Sequence, residues 1–303
     1  MDLSTSIKFK NIKFGEGTIE LDEGTLRKCQ KVILSIAEDV VSVCEENNIW
    51  FQLGGGTALG AVRHEGFIPW DDDIDLNVLG KDFETLKELI YKKYDGKYTF
   101  LDYTVSDYGL PMGRVMLNGT VYRDRESYGS KNCGFFIDIF PLENVPDGVL
   151  LRKIHGSISM VCGGLLSCRK FFKNRKFLHS VAEQNPNIKN TIRVKIAIGA
   201  CISFIPLSKC AYITDAIYGM CKNENSQFVS FPSGRKHYFG DMYERQGMIQ
   251  TRLMNFEGHL WPVPEDYDSY FKKLYGDDYM TPPPEEKREH HVLLELKIPE
   301  KMK

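Results

Sequence analysis

The sequence holds 303 residues, of which 42% are hydrophobic and 26% are charged. A chain of this length buries enough apolar surface to fold without disulfide or metal staples, so intrinsic disorder is excluded as its dominant state. Its 39 Lys and Arg residues against 41 Asp and Glu residues give a net charge of −2, which argues against a protein that coats nucleic acid along its whole length.

The cysteines and the apolar runs bear on the cellular compartment. The eight cysteines form no C-x-x-C pair and no zinc-type spacing with histidine, and the sequence MDLSTSIKFK at the start is not an apolar signal segment. Free thiols in a reducing, cytoplasmic setting are therefore expected. The longest approach to a membrane span, residues 196–207, is interrupted by Ser203 and Pro206, so no spanning helix is expected.

The first predicted elements are a helix, a strand, a glycine turn and a second helix. Apolar residues recur every three or four positions between Asp22 and Asn48, which predicts an amphipathic helix. A β-prone run over residues 49–53 meets the turn sequence GGGT at residues 54–57, after which ALGAVRH begins a helical pattern. Glycines ahead of a helix let a phosphate approach the backbone, and the helix N-terminus favours the anion. A plain tight turn explains the glycines equally well.

A run of aspartates opens the next predicted strand. Ile74, Leu76 and Val78 alternate with polar residues at period two, which is typical of a strand. Asp73 and Asp75 therefore share one strand face.

Short elements follow in quick succession. Asp82 is placed to cap a helix, and residues 98–105 have a strand pattern. Residues 114–117 and 120–123 flank Asn118 and Gly119, which predicts a β-hairpin. A further strand over residues 135–140, FFIDIF, carries one polar residue, an aspartate.

Three of the aspartates are candidate metal ligands. Asp73 and Asp75 would repel each other on one strand face unless a cation lay between them, which favours a divalent-ion site. Asp138, in FFIDIF, would be costly to bury without a partner. Oxygen ligands without a His or Cys set favour Mg²⁺ or Mn²⁺ over zinc. The alternatives are an exposed acidic turn, preferred for Asp71 and Asp72 together with a role in supporting the ligands, and a solvent-facing position for Asp138.

The glycine turn, the D-x-D strand and the later strand aspartate together resemble the layout of the nucleotidyltransferase superfamily, to which DNA polymerase beta belongs. One longer stretch narrows the resemblance. Residues 55–76, GGTALGAVRHEGFIPWDDDIDL, are similar to the signature block of the LicD family, and FIDIFPLENVPD, residues 136–147, resembles its second block. A third block, residues 256–291, shares the P-x-x-Y, YG and PP-EEKR-x-H elements. The basic middle of the chain matches no block.

The resemblance implies transfer of a phosphorylated alcohol to a hydroxyl of a cell-surface glycan, such as a teichoic acid, capsule or lipopolysaccharide precursor. The usual donor is CDP-choline, which gives phosphocholine transfer and releases CMP. Fukutin-type relatives move ribitol phosphate from CDP-ribitol by the same chemistry.

The motifs also imply residue roles. Gly55, Gly56 and Thr57 would bind the donor diphosphate. Asp73 and Asp75 would hold Mg²⁺ or Mn²⁺. The third aspartate, Asp138, would complete the metal site or accept the proton of the acceptor hydroxyl.

Three further residues are included in the candidate donor site. Arg63 and His64 follow the glycines on the second helix, within reach of a donor phosphate; a surface salt bridge for Arg63 and a packing role for His64 are the alternatives. Arg114 opens a strand beside the presumed site and would either meet a phosphate or pair with Asp138. His237, His290 and His291 have no assigned role.

The middle of the chain differs from the rest in charge. Residues 151–215 hold 11 Lys and Arg and only Glu183 and Asp215 as acids, a balance of 11 − 2 = +9, which leaves −11 on the other residues. Three interpretations stand: contact with an anionic membrane surface, binding of an anionic polymer acceptor, or an ordinary solvated helical subdomain. We favour the first of these.

The sequence as a whole predicts an α+β protein. A nucleotidyltransferase-like mixed sheet flanked by helices occupies residues 1–150, a basic helical insertion residues 151–217, and a part that packs on the core and shapes the site residues 218–303. The predicted function is metal-dependent phosphocholine-type transfer in the cytoplasm or at the inner face of the plasma membrane. The alternatives are a nucleotidyltransferase that releases pyrophosphate, and a catalytically dead, membrane-associated glycan-binding protein. No nucleic-acid partner is expected.

Overall fold

A computed structural model describes residues 19–104, 109–124, 127, 130–285, 288 and 293–299. Its helices are α1 (Glu23–Glu46), α2 (Gly55–His64), α3 (Phe83–Lys93), α4 (Val149–Lys173), α5 (Arg175–Gln184), α6 (Pro186–Cys201), α7 (Leu207–Tyr218), α8 (His237–Gly240), α9 (Arg245–Ile249) and α10 (Tyr267–Tyr275). Its strands are β1 (Phe51–Leu53), β2 (Asp75–Leu79), β3 (Tyr98–Leu101), β4 (Gly113–Leu117), β5 (Val121–Asp124), β6 (Phe136–Val145), β7 (Phe228–Ser230), β8 (Met242–Glu244), β9 (Thr251–Phe256), β10 (His259–Pro264) and β11 (Leu293–Lys297).

The main sheet has seven strands and is mixed. Its order is β1-β2-β6-β4-β3, and the far end of β6 pairs with β7, which pairs with β8. The β2–β6 pair is parallel, whereas the other pairs are antiparallel. The mixed sheet with its helices confirms the α+β class, while the nucleotidyltransferase arrangement and the division into three parts stay predictions.

The strand register brings charged residues from three separate segments into one row. Asp75 on β2 lies opposite Asp138 on β6, and Asp138 lies opposite Arg114 on β4. Adjacent strands are about 5 Å apart, so this row places the three side chains at one position on the sheet.

Helix α1 confirms the amphipathic pattern. The Asp22 side chain accepts a hydrogen bond from Thr25 N at 2.9 Å at the start of the helix, which is a typical N-cap. The apolar face of α1 is fully buried in the main hydrophobic core, which also includes the sheet, α10 and residues of the β9–β10 ribbon.

Two local expectations are wrong. The strands β4 and β5 flank the Asn118–Gly119 turn but do not pair as a hairpin, because β4 lies between β3 and β6 while β5 pairs with β11. Asp82 occupies the N-cap position of α3 but makes no capping hydrogen bond, since a short 3₁₀ turn, Gly80–Asp82, leads into the helix.

The strand predicted over residues 98–105 is shorter than expected. It ends at Leu101, and residue 105, the last of the predicted range, lies outside the described residues.

The basic segment is helical, as expected, and consists of α4, α5, α6 and α7. Helix α4 packs against α6 and α7. By length and composition it is also apolar enough to cross a membrane, and only 22% of the relevant window is buried within the protein. The helix contains no uninterrupted apolar run of spanning length, because Arg152, Lys153, His155 and several small polar residues lie among its apolar side chains.

Candidate active site

The glycine turn and the first acidic strand are joined by backbone hydrogen bonds. Gly54 N donates to the Asp75 carbonyl at 2.9 Å, and Asp75 N donates to the Thr57 hydroxyl at 2.8 Å. Thr57 is buried. The start of α2 is thereby fixed against the start of β2, while phosphate binding by Gly55, Gly56 and Thr57 stays a prediction.

The glycines allow carboxylates to approach the helix N-terminus closely. Gly55 has φ +45°, and a Cβ atom built on it would lie 2.8 Å from Asp75 Oδ2. A Cβ atom on Gly56 would lie 2.9 Å from Asp71 Oδ2. Both glycines belong to the first turn of α2, and only Gly54 precedes it as the N-cap residue. A larger residue at position 55 would push against Asp75 and would also be strained at this φ.

Asp138 is held by a buried arginine. Arg114 Nε and Nη2 donate to the two carboxylate oxygens of Asp138 at 2.6 and 2.9 Å, and Arg114 Nη1 donates to Asp124 at 3.0 Å. The three residues are buried, and the guanidinium carbon lies 3.3 Å from the centre of the Phe136 ring. A buried charge is tolerated when it is paired in this bidentate way. Of the two roles predicted for Arg114, the structure shows pairing with Asp138.

The acidic run before β2 is less exposed than expected. Asp72 is buried and accepts a hydrogen bond from the Tyr122 hydroxyl, so the exposed-turn interpretation is wrong for this residue. Burial, followed by the nearby Asp72 charge, raises the pKa of Tyr122 well above its usual value, which keeps the phenol protonated as the donor. Asp71, Asp73 and Asp75 are half-buried.

Arg63 and His64 lie at the end of α2. Arg63 Nη1 donates to the Tyr279 carbonyl at 2.6 Å, and Arg63 Nε donates to His64 Nε2 at 2.9 Å. Burial and the neighbouring Arg63 lower the pKa of His64, so the ring is neutral and accepts this bond. The His64 ring contacts Trp70 edge-on at 6.5 Å between centroids. These contacts agree with the packing role that was the alternative for His64. Arg63 donates to a backbone carbonyl, whereas the alternative predicted for it was a surface salt bridge.

A complete protein-only metal site is not preformed in the described part of the chain, where no three His, Cys, Asp or Glu side chains converge. The donor types nevertheless fit a hard cation, because two carboxylates stand where β2 starts: Asp75 is its first residue, and Asp73 lies two residues before it, outside the strand on which it was expected. Magnesium is commonly bound through one or two carboxylates, with substrate phosphates and water filling the remaining positions. Metal binding by Asp73, Asp75 and Asp138 stays a prediction.

Helix α10 contributes two residues that the sequence did not single out. The Tyr270 hydroxyl accepts a hydrogen bond from Gly55 N at 2.9 Å, and the Tyr275 hydroxyl would lie 3.8 Å from a Cβ atom on Gly55. Burial raises the pKa of Tyr270, so its hydroxyl remains neutral. The YG element of the third matching block is Tyr275–Gly276 and was a signal for this contact, but nothing local indicates that the helix meets Gly55.

The remaining histidines lie apart from this turn or outside the described residues. His237 begins α8 with φ +59°, and burial lowers its pKa. His290 and His291 lie outside the described residues. Arg288 of the PP-EEKR element places its guanidinium 4.3 Å from the centre of the Trp70 ring, so this residue reaches the start of the acidic run.

Comparison with known protein families gives a match for the region that holds these residues. Residues 48–155 match the family described as LicD/FKTN/FKRP, nucleotidyltransferase domain. The chain carries a LicD-family domain. The matched range includes the nine candidate site residues, whereas Tyr270 and Tyr275 lie beyond it.

Individual proteins are also similar to this chain. Lipopolysaccharide cholinephosphotransferase LicD of Haemophilus influenzae is 26% identical over 286 residues, which cover 88% of this chain and 96% of that protein. Ribitol 5-phosphate transferase FKRP of Homo sapiens is 38% identical over 61 residues, 20% of this chain and 12% of that protein. An uncharacterized protein of Rickettsia prowazekii is 35% identical over 74 residues, 24% of this chain and 26% of that protein. The chain is therefore a homologue of phosphotransferases, with its most extended similarity here to the cholinephosphotransferase.

Proposed function

We propose that this LicD-family protein transfers phosphocholine, or a similar phospho-alcohol, from a CDP-activated donor to a hydroxyl of a cell-surface glycan and releases CMP. The observation that carries the proposal is the position of Asp75 against Gly55 at the start of α2, within the matched domain. Similarity to a cholinephosphotransferase over most of the chain supports the phosphocholine group.

The glycine turn would bind the donor. The first turn of α2 has backbone N–H groups without helical partners, and the helix dipole favours an anion there. The Tyr270 hydroxyl accepts a hydrogen bond from Gly55 N in this turn. Glycine at positions 55 and 56 would let the backbone of this turn approach a diphosphate closely.

Asp73 and Asp75 would hold Mg²⁺ or Mn²⁺, which would offset phosphate charge and make the acceptor hydroxyl more acidic. Asp75 is the first residue of β2, whose backbone is fixed to α2 through Gly54 and Thr57, and Asp73 lies two residues before it. This attachment keeps the cation ligands and the phosphate-binding turn at a constant separation, and positioning is the main contribution that a protein makes to phosphoryl transfer.

The transfer itself balances with one proton acceptor. The acceptor oxygen forms a bond to the phosphorus that carries the alcohol, and the bond from that phosphorus to the oxygen of the CMP phosphate breaks. The hydroxyl proton leaves to a base, and CMP departs as an anion. We propose Asp138, which Arg114 holds through two hydrogen bonds, as the residue that takes this proton or completes the metal site.

We further propose that the reaction takes place on the cytoplasmic side of the membrane. The eight cysteines are free thiols in the structure, as the sequence predicts, which fits a reducing compartment.

The test is product analysis with matched variants. The purified chain, Mg²⁺ and CDP-choline, CDP-ribitol or CDP-glycerol are incubated with a lipid-linked glycan extract, and a thermal-shift screen identifies the donor that stabilises the folded state. We expect CMP release, at least about a thousandfold slower for Asp75→Asn because several kcal/mol of charge stabilisation is lost. Asp95→Asn, an exposed aspartate after α3, is the control and should be unaffected. Pyrophosphate release from CTP without CMP release from any CDP-alcohol would refute the proposal.

A further inference from the structure

Helix α4 carries a row of exposed apolar side chains. Leu151, Ile154, Ile158, Val161 and Leu165 follow one another at intervals of three or four residues and are between 40% and 62% exposed. We call these five residues the apolar stripe. At 1.5 Å per residue the stripe is about 21 Å long. A continuous exposed apolar surface of this kind is typical of an interaction site, whereas isolated exposed apolar residues are not.

The adjacent face of the same helix is attached to the protein. His155 and Leu166 are buried. The His155 Nε2 atom lies 2.7 Å from the Ile217 carbonyl oxygen, and Leu166 packs against residues of α7. Helix α4 therefore lies on the body of the protein along one side. Crossing a membrane would require these contacts to break, which makes a position parallel to a surface the favoured one.

An exposed aromatic residue extends the stripe at its far end. Arg169 lies one turn beyond Leu165 and donates hydrogen bonds to the carbonyls of Ser203 and Ile205 at 3.3 and 3.0 Å. Phe204, between those two residues, is 80% exposed. The turn between α6 and α7 thus presents Phe204 next to the end of the apolar stripe.

Positive charge accompanies this surface. The residues from 151 to 215 carry a balance of +9. Lys153 is exposed on α4, and Lys209 is exposed on α7 with its ammonium 4.8 Å from the centre of the Tyr212 ring, which is itself exposed. An exposed apolar helical stripe with exposed lysines and tyrosine on the same helix and on the helix packed against it is typical of a segment that lies in the interface of an anionic membrane.

We propose that the apolar stripe and Phe204 dock this protein on an anionic lipid surface, with α4 parallel to the membrane plane. The apolar side chains would enter the boundary between headgroups and acyl chains, and the lysines would contact lipid phosphates. A second copy of the chain is a poorer occupant, because the two stripes would bring two segments of +9 together. The inference does not depend on the proposed reaction.

Vesicle binding of the full chain tests the docking surface. The protein is sedimented with vesicles of phosphatidylcholine alone and with vesicles that also contain phosphatidylglycerol. We expect binding to the anionic vesicles to be at least about tenfold tighter and to weaken as salt is added. The triple variant Ile154→Ser, Ile158→Ser, Val161→Ser should lose at least about tenfold in binding. The control Leu253→Ser, Leu260→Ser replaces equally exposed leucines on the β9–β10 ribbon and should bind as the wild type does.

A second pair of variants tests the charges. Lys153→Glu with Lys209→Glu should weaken binding to anionic vesicles by at least about tenfold. Lys28→Glu with Lys31→Glu makes the same charge change on the exposed side of α1 and should weaken it much less. Circular dichroism of all variants checks that they are folded. Asp75→Asn should bind vesicles normally, so failure of docking and failure of the proposed reaction give different results.

Four results would overturn the inference. These are equal affinity for both kinds of vesicle, unchanged binding by the triple variant, membrane association that resists alkaline extraction as a spanning helix does, and a dimer in analytical ultracentrifugation that the triple variant abolishes. The last result would assign the stripe to a second copy of the chain.

Discussion

The two ends of β6 lead to regions of opposite character. At its start, Asp138 belongs to a cluster of charged side chains that are buried and paired within the protein. Beyond its end, α4 presents apolar side chains to the outside. A buried charge depends on its neighbours, whereas an exposed apolar side chain contributes little to folding. Substitutions near Asp138 should therefore affect stability and activity together, and substitutions in the apolar stripe should affect neither.

The largest effect on stability is expected for Arg114→Met. It leaves Asp138 and Asp124 buried without their shared cation, which typically costs about 3–5 kcal/mol. The control is Arg252→Met, because Arg252 pairs with Glu265 on the surface and an exposed pair contributes less than about 1 kcal/mol. Urea unfolding monitored by circular dichroism measures the free energy of unfolding of both variants. Equal losses for the two variants would mean that the Asp138 cluster is not a buried charge cluster.

Two neighbouring leucines on α4 distinguish its two faces. Leu166 packs against α7 and is buried, whereas Leu165 belongs to the apolar stripe. We expect Leu166→Ala to cost about 2–4 kcal/mol, as is usual for a buried leucine, and Leu165→Ala less than about 1 kcal/mol. Thermal and urea unfolding of the two variants provide the comparison. A large loss for Leu165→Ala would show that another part of the protein covers the stripe.

Gly55→Ala tests the close approach of Asp75 to α2. The added methyl would meet Asp75 Oδ2 at 2.8 Å, so we expect CMP release to fall by about a hundredfold, which corresponds to about 2.7 kcal/mol. Gly119→Ala is matched for backbone strain, since Gly119 also has positive φ but has no atom within 4 Å of its Cβ position. Its turnover should stay within about twofold of wild type in the same assay. Comparable rates of CMP release in both variants would show that the reaction does not depend on glycine at position 55.

Glu143 lies where the sheet meets the helical segment and should make stability depend on pH. Burial, with a smaller contribution from the Asp215 charge, raises the pKa of Glu143 to about 7. Between its ordinary pKa of 4.5 and about 7, the folded state holds a proton that the unfolded state has released, so stability falls as pH rises through this window. Glu143→Gln should remove part of this pH-dependent loss of stability. At pH 8 its free energy of unfolding should exceed that of wild type by on the order of 1–3 kcal/mol.

Below the ordinary pKa the two proteins should have similar stability. Urea unfolding at several pH values measures the difference. A constant difference between Glu143→Gln and wild type at all pH values would contradict the protonated state of Glu143.

The sequence was informative where a feature is local. The helix that follows Asp22 and the strand that places Asp75 were predicted from periodicity over a few residues. The Asn118–Gly119 turn was also recognisable, but the hairpin was wrong because the choice of strand partner depends on β11, far away in sequence. The contact of Tyr270 with Gly55 spans 215 residues and has no local signature.

Charged residues show the same limit. Asp72 stands in a run of aspartates, which locally indicates solvent exposure, yet Tyr122 reaches it from another strand. For Arg114, two roles remained open because the pattern gives the strand but not its register. The register places Arg114 opposite Asp138 and decides between them for this structure. Burial and pairing of polar groups are thus set by tertiary contacts, which a single sequence does not contain.

The pairing of β5 with β11 has a consequence for synthesis. Asp124, which pairs with Arg114, lies on β5 opposite Leu293 of β11. A ribosome that adds roughly 5–20 residues per second needs about ten to thirty seconds to pass from one strand to the other. Until then, the growing chain holds the acidic strands and the glycine turn without the strand that supports Asp124. The support of Asp124 is thus among the last parts of the fold to be completed during synthesis.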